Sequence, residues 1–299
     1  MVKNYKILYN IIHPISFFFR YYLRARILEI VFYVKRYMEI LNCIREDDRF
    51  KFIKKEKDKY KNKRCFIIGA GPSLTLHDLE LLIDEFTIMM STTINIFDNL
   101  TYIPNIYLTQ DRKTYERLNL KEKLKKIEPK RIYMGISNIN QDCKIKMLDI
   151  NQGPNNNEWR LFYLNTANIW DRTKYWKYRP KFSDDCYKEI FDSGTVAYSA
   201  IQLAAYMGFD EIYLLGIDCN YTEGKLKHFA EKEDAIEVNE LKKLEIMENR
   251  FKTSFKIAYE FLKNKNVKLY NATRGGNLDV IPRVNLDIIL KDKCKNYKE

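Results

Sequence analysis

A chain of 299 residues, 46% of them hydrophobic, can bury one sizeable core or one domain with an appendage, which excludes an intrinsically disordered protein. A formal net charge of +12 suits nucleic acid, an anionic membrane surface or acidic small molecules as partners, or lysine-rich solvated helix faces with no partner. The six cysteines are irregularly spaced with no Cys-x-x-Cys pair, which argues against a zinc site or disulfide framework and for a reducing cytosol.

Residues 1–60 contain no glycine and interleave aromatic with basic residues. Helical spacing puts Phe19, Leu23, Ile27, Ile30 and Val34 on one stripe. Arg20, Arg24 and Lys35 flank it on one side, Arg26 and Arg36 on the other. Two roles fit this stripe. It could lie on an anionic leaflet, holding a cytoplasmic protein at the inner face of the cell membrane. It could equally pack on the domain or on a second subunit, giving a homo-oligomer. Residues 46–63 are lysine-rich and lead into the main domain. There is no signal peptide with a small-residue cleavage site.

The central stretch begins at Arg64. The apolar run Cys65–Ile68 ends at Gly69-Ala70-Gly71-Pro72-Ser73, and a helical pattern follows over residues 75–82. Strand, glycine turn and helix start are expected to point backbone N–H groups at an anion. The motif lacks the third glycine of a dinucleotide fingerprint and the Gly-Lys-Ser/Thr of a P-loop. By itself it is equally a tight turn with no ligand.

Strand and helix signals then alternate. Phe86–Ser91 reads as a strand leading to Asn95. Asn105–Thr109 reads as a strand ending at Gln110 and Asp111, followed by a charged helix to about Lys126. Arg131–Ile136 is another strand. Residues 137–190, polar and aromatic without clear periodicity, read as an irregular lid. Ser193 or Thr195 is expected to cap the apolar helix Val196–Met207, and Gly208 to stop it. The longest uncharged stretch, Ser193–Phe209, falls short of the roughly 20 apolar residues a bilayer span needs. Glu211–Leu215 is a strand running into Gly216-Ile217-Asp218. A long helix spans Val238–Lys263, Val267–Asn271 is the last strand, and residues 291–299 form a basic tail.

This alternation predicts an α/β fold: a Rossmann-like, mostly parallel sheet over residues 61–290 with helices on both faces, a lid, and an N-terminal helical appendage. Ligands of such folds bind beyond the carboxyl ends of the strands. The polar and glycine clusters all follow predicted strands or start a helix, which favours a ligand pocket. Among the three histidines, His228 follows the Asp218–Tyr221 turn and could serve as a general base near neutral pH. Asn220 and Tyr221 could bind a phosphate or orient a substrate, and Lys225, Lys227 and Arg274 could neutralise a diphosphate or carboxylate. Asp218 and Asp111 could each hold a ribose or metal, or merely cap a turn. No metal-binding or serine-hydrolase constellation stands out.

Four motifs in order, CFIIGAGPSL (65–74), FDSGTVAYSAIQLAAYMGFDEIYLLGIDCNY (191–221), KHF (227–229) and VKLYNATRGGNLDVIPRV (267–284), resemble the bacterial 6-hydroxymethylpterin diphosphokinase-like family. That family includes the motility accessory factors. The motif order is also similar to the sialyltransferases of glycosyltransferase family 42. This likeness implies that Gly69, Gly71, Pro72 and Ser73 hug a nucleotide, with Asn95 on the donor. Ser193 and Gly194 (beside Thr195) would contact the cytidine, Gly216, Ile217 and Asp218 would line the nucleotide, Tyr221 would bind the leaving phosphate, and His228 would be the base. Ala70 departs from the sialyltransferase pattern, which has asparagine there.

The activity implied is inverting transfer of an acidic nonulosonic sugar from a CMP-activated donor to a glycan or lipid-linked acceptor. It needs no obligatory cofactor and involves no nucleic acid. One alternative is a pterin diphosphokinase using Mg-ATP, with Asp111 or Asp218 as magnesium ligands. Another is a non-catalytic nucleotide-binding assembly protein.

Overall fold

A computed structural model describes residues 48–110, 112–127, 131–136, 159–165, 180–220, 225–226, 234–235 and 238–296, together with Leu23, Ile27, Ile30, Val31, Val34 and Met38. The chain divides into two compact units, Met1–Asp48 and Arg49–Glu299. In the first, the described residues are helical and exposed: Leu23, Ile27, Ile30, Val31, Val34, Met38 and Asp48. Four of them, Leu23, Ile27, Ile30 and Val34, belong to the stripe expected from the sequence. No helix among the described residues is long and apolar enough to cross a membrane.

The second unit is an α/β fold. Helix α1 (Asp48–Glu56) leads into β1 (Arg64–Ile68), α2 (Leu76–Glu80) and β2 (Phe86–Met90). A 3₁₀ segment, Ser91–Asn99, precedes β3 (Ile106–Thr109), and α3 (Arg112–Arg117) and α4 (Leu120–Ile127) precede β4 (Ile132–Ile136). Then come β5 (Trp159–Asn165), β6 (Ile190–Phe191), α5 (Val196–Tyr206) and β7 (Glu211–Leu215). A small antiparallel pair, β8 (Lys225–Leu226) and β9 (Asp234–Ala235), is followed by α6 (Val238–Lys263), β10 (Lys268–Asn271) and α7 (Leu286–Asn296).

Eight strands form one sheet in the order β10-β7-β1-β2-β3-β4-β5-β6, with every pair parallel. The central strands have both faces covered, so their residues are continuously apolar: Cys65 to Ile68 and Ile212 to Leu215 are all buried. Burial of each large side chain contributes roughly 1.5–3 kcal/mol.

Three stretches differ from expectation. Trp159–Asn165, within the stretch read as a lid, is a full strand pairing with β4 from Ile132↔Trp159 to Ile136↔Tyr163. Ile190–Phe191 extends the sheet by one more short strand. Phe50, Ile53 and Tyr60, expected in the helical appendage, are buried within the second unit.

Helix α5 is apolar nearly all round because it is buried nearly all round. Its one large polar residue, Gln202, is fully buried and fully engaged. Its Oε1 accepts from the N–H groups of Ser183 and Phe191, both at 3.0 Å. Its amide donates to the carbonyls of Phe191 (2.8 Å) and Tyr198 (3.1 Å). That single side chain fastens β6 and the 183–191 segment to the helix. Gly208 stops α5 as expected, in the left-handed conformation at φ +88°.

Candidate functional site

From β1 the chain steps outward through β2 to β6, then returns to place β7 on the other side of β1. The loops after β1 and β7 therefore leave the sheet at its topological switch point, where doubly wound folds open a crevice. Here the loops meet closely. Gly69 N–H donates to Leu215 O and Gly71 N–H to Gly216 O, both at 2.8 Å. A Cβ at position 71 would lie 1.7 Å from Asp218 Oδ2 and 2.6 Å from Gly216 O, so only glycine permits this approach.

This corrects one expectation. The N–H groups of Gly69 and Gly71 bind the neighbouring turn and do not face an anion. The helix that follows, α2, has only five residues, and Thr75 Oγ1 caps its Asp78 N–H at 3.1 Å.

A third loop, after β10, closes the cluster. Thr273 Oγ1 accepts from Ile217 N–H at 3.2 Å, and Asn277 N–H donates to Asp218 O at 2.6 Å. Asn277 Nδ2 donates to Asn220 Oδ1 at 2.9 Å. At the centre is Asp218, 7% exposed. Its Oδ2 and the nearby Ser73 Oγ are both buried, and Ser73 faces the carboxyl with its hydroxyl and its N–H. Burial pushes the Asp218 carboxyl above the usual carboxylate range, while Ser73 and Arg283 pull the other way.

A second group lies further along the same sheet end, beyond β3 and β6. Gln110 Nε2 donates to Asp192 Oδ1 at 3.1 Å, and Ser199 Oγ donates to Gln110 Oε1 at 2.6 Å. Asp192 Oδ1 also takes the Gly194 N–H at 2.8 Å. Gln110 thus braces the Ser193–Gly194 turn from behind. The expected side-chain cap of α5 is absent: Thr195 occupies the cap position, but its hydroxyl makes no capping bond. Ser193 Oγ and Thr109 Oγ1 are buried and unpartnered. Strand β3 stands two strands from β1, so the two groups are about 10 Å apart across the sheet. Asn95, in the 3₁₀ segment, accepts from Lys123 Nζ.

A family model described as 6-hydroxymethylpterin diphosphokinase MptE-like matches residues 35–224, well over half of the sequence. The chain belongs to the MptE-like family. Searched against curated proteins, the MptE-like sequence finds no match. Among solved structures it is similar to a MAf glycosyltransferase from Magnetospirillum magneticum AMB-1, at 15% identity and a TM-score of 0.46. That likeness covers 84% of this chain and 41% of the other, so this MptE-like chain spans well under half of that protein. It is also similar to the sialyltransferase CstII from Campylobacter jejuni, solved with the substrate analogue CMP-3FNeuAc. Identity there is 18% and the TM-score 0.40, covering 75% of this chain and 86% of that one.

Of the residues the sequence singled out in this MptE-like chain, Gly69, Ala70, Gly71, Pro72 and Ser73 lie in the loop after β1, against Gly216, Ile217 and Asp218, while Asn220 meets Asn277 of the third loop. Gln110, Ser193, Gly194 and Thr195 form the second group. Arg274 is not a free cation for substrate. Its Nε donates to Asp78 Oδ1 at 2.7 Å, and its terminal nitrogens grip both oxygens of Asp287 at 3.1 and 2.8 Å. Asp287 first and Asp78 second raise its pKa. Asp111, Tyr221, Lys227 and His228 lie outside the described residues. Thr273 lies in one of the polar clusters that follow predicted strands, whereas Thr109, Lys123 and Arg283 carry no role in the sequence reading. Thr109 ends a predicted strand on the ligand side, a position that could have flagged it.

Proposed function

We propose that the chain is an inverting glycosyltransferase that moves an acidic nonulosonic sugar from a CMP-activated donor to a glycan or lipid-linked hydroxyl. One observation carries the nucleotide-site reading. Buried polar side chains gather at or just beyond the carboxyl ends of strands in one parallel sheet: Thr109 and Ser193, whose hydroxyls have no protein partner among the described residues, and the Ser73–Asp218 pair. A buried hydroxyl without a partner costs about 1–3 kcal/mol, so these two, on the same rim as the buried Ser73–Asp218 pair, suit a ligand rich in hydroxyl, phosphate and amide groups. The choice of CMP rests on the sequence motifs shared with family 42 sialyltransferases.

In this reading His228 takes the acceptor's hydroxyl proton. The acceptor oxygen bonds to the anomeric carbon as the bond from that carbon to the phosphate oxygen breaks, and CMP departs with the electron pair. Tyr221 steadies the departing phosphate. Ser73 and Asp218 hold the nucleotide at the switch point, with Ser193 and Gly194 at its base end. CMP is a good leaving group, so a metal is not obligatory. The exposed stripe of Leu23, Ile27, Ile30, Val31, Val34 and Met38, in a segment rich in Arg and Lys, would keep the enzyme at an anionic leaflet near a lipid-linked acceptor.

Thermal shift and donor hydrolysis with CMP, CMP-sialic acid, UDP-sugars and Mg-ATP test the proposal. Stabilisation by CMP without metal is expected, and a response to Mg-ATP alone would sink it. His228→Ala is expected to abolish transfer with CMP binding nearly intact. Membership of the MptE-like family favours a second reading, diphosphate transfer from Mg-ATP to a pterin alcohol, with Asp218 or Asp111 on magnesium. The Mg-ATP arm of the same experiment reads it directly.

A further inference from the structure

The VKLYNATRGGNLDVIPRV motif contains two arginines in opposite circumstances. Arg274 is engaged by two carboxylates. Arg283 touches none among the described residues. It sits in a short segment beside the end of β10, where Asn271 N–H donates to Pro282 O at 2.8 Å and Val284 N–H to Asn271 O at 3.0 Å. From there its guanidinium turns back over the 273–276 loop. It donates to the carbonyls of Thr273 (2.8 Å), Gly276 (3.3 Å) and Gly275. All three acceptors are neutral, so they fix the group without cancelling its charge. Of its five N–H donors, Nε–H and one at Nη1 are left over.

The loop beneath Arg283 is the third wall of the crevice. Gly275 lies against Ser73, a Cβ there falling 3.1 Å from Ser73 Cβ. Gly276 lies against Asp218, a Cβ there falling 2.2 Å from Asp218 O. Arg283 is close enough to Asp218 to draw its carboxyl toward the charged form. A solvent-exposed guanidinium is thus anchored in one orientation at the rim, beside the buried Ser73–Asp218 pair. That is an arrangement for an anion, since a planar fork held in advance loses little freedom when phosphate arrives.

We propose that Arg283 binds the phosphate of the donor nucleotide. The proposal deepens the nucleotide-site reading and rests on it. A purely mechanical clip for the 273–276 loop would need the hydrogen bonds and not the charge, and this sets the test. Calorimetric titration compares wild type, Arg283→Gln and Arg283→Lys against two ligand pairs, CMP with cytidine and ATP with adenosine.

Arg283→Gln is expected to weaken the phosphorylated member of the pair by about tenfold to a hundredfold, the scale of a charge-assisted hydrogen bond. The nucleoside should change by less than about threefold, and Arg283→Lys should fall between wild type and Gln. Equal losses for nucleotide and nucleoside, a Lys variant as weak as the Gln variant, or no loss at all would overturn the proposal. Should Arg283→Gln fail to fold, the Lys variant carries the same comparison. Binding of ATP but not CMP would overturn the CMP assignment alone, and Arg283 is then read from the ATP pair. Wild type binding neither nucleotide would overturn both.

Discussion

Gly71→Ala probes the contact on which the crevice is built. The added methyl carbon would lie 1.7 Å from Asp218 Oδ2, 2.8 Å from Asp218 Cγ and 2.6 Å from Gly216 O. The carboxylate can swing away, but the Gly216 carbonyl is backbone at the end of β7 and also accepts the Gly71 N–H at 2.8 Å. Moving it sacrifices that bond, about 1 kcal/mol, and overpacks the turn by about 1–3 kcal/mol. The sum, ~2–4 kcal/mol, should lower Tm by roughly 5–15 °C for a domain of this size. Thermal unfolding followed by circular dichroism measures it, and CMP-induced stabilisation should shrink in parallel. Adding Asp218→Ala removes the shorter contact but leaves the carbonyl, so the double variant should regain only part of the loss relative to additivity. A Gly71→Ala protein with wild-type Tm and wild-type ligand response would refute the described contact between the loops.

Arg274→Met should destabilise by about 3–5 kcal/mol, because Asp78 is 1% exposed and would be left as an uncompensated buried charge. Asp78→Asn in the same chain should restore much of that in chemical denaturation, and a selective loss of ligand affinity at unchanged stability would return Arg274 to a substrate role. Gln202→Leu should cost about 3 kcal/mol or more by stranding the N–H groups of Ser183 and Phe191 and the Phe191 carbonyl, and denaturant midpoints read this. Asp218→Asn should raise Tm at pH 7. The folded carboxyl has its pKa raised, so as pH climbs the unfolded chain gives up this proton first, and wild type loses stability between the ordinary value of 3.8 and the raised one. The gap between the two proteins should therefore close as pH falls toward 4, and a gap that widened instead would contradict the desolvation of Asp218.

The central strands were legible because burial on both faces leaves an unmistakable apolar run between glycine-rich turns, as at Cys65–Ile68 and Glu211–Leu215. Strand β5 escaped because Arg160 interrupts its run, and the turn signal Gly153-Pro154 before it merges into an asparagine-rich stretch that reads as loop. Arg160 is tolerated there by lying over the Phe52 ring, 4.6 Å from its centroid, a contact between residues far apart in sequence. The charged helix before β4 is really two, α3 and α4, broken where Asn119 adopts a left-handed φ of 48°. In the site, glycine spacing located the loop but not the use of its N–H groups. A turn that cradles an anion and one that clamps onto a neighbouring strand need the same residues, and which strand neighbours β1 is a matter of topology. Likewise, Arg274 and Arg283 look alike until Asp78 and Asp287 are seen to claim only the first.

The pairing of β1 with β7 bears on how the protein comes to exist. Cys65 finds Ile212 about 150 residues later, after five other strands of the sheet have been synthesised. Closing so long a loop is entropically slow, and nothing local rewards it in advance. The crevice therefore cannot be assembled on a partly made chain: its first wall waits on the ribosome for its second. Any ligand that fits it would act as a reporter of completed folding, and a chain cut short before residue 211 would retain the glycine turn without the wall it was shaped to meet.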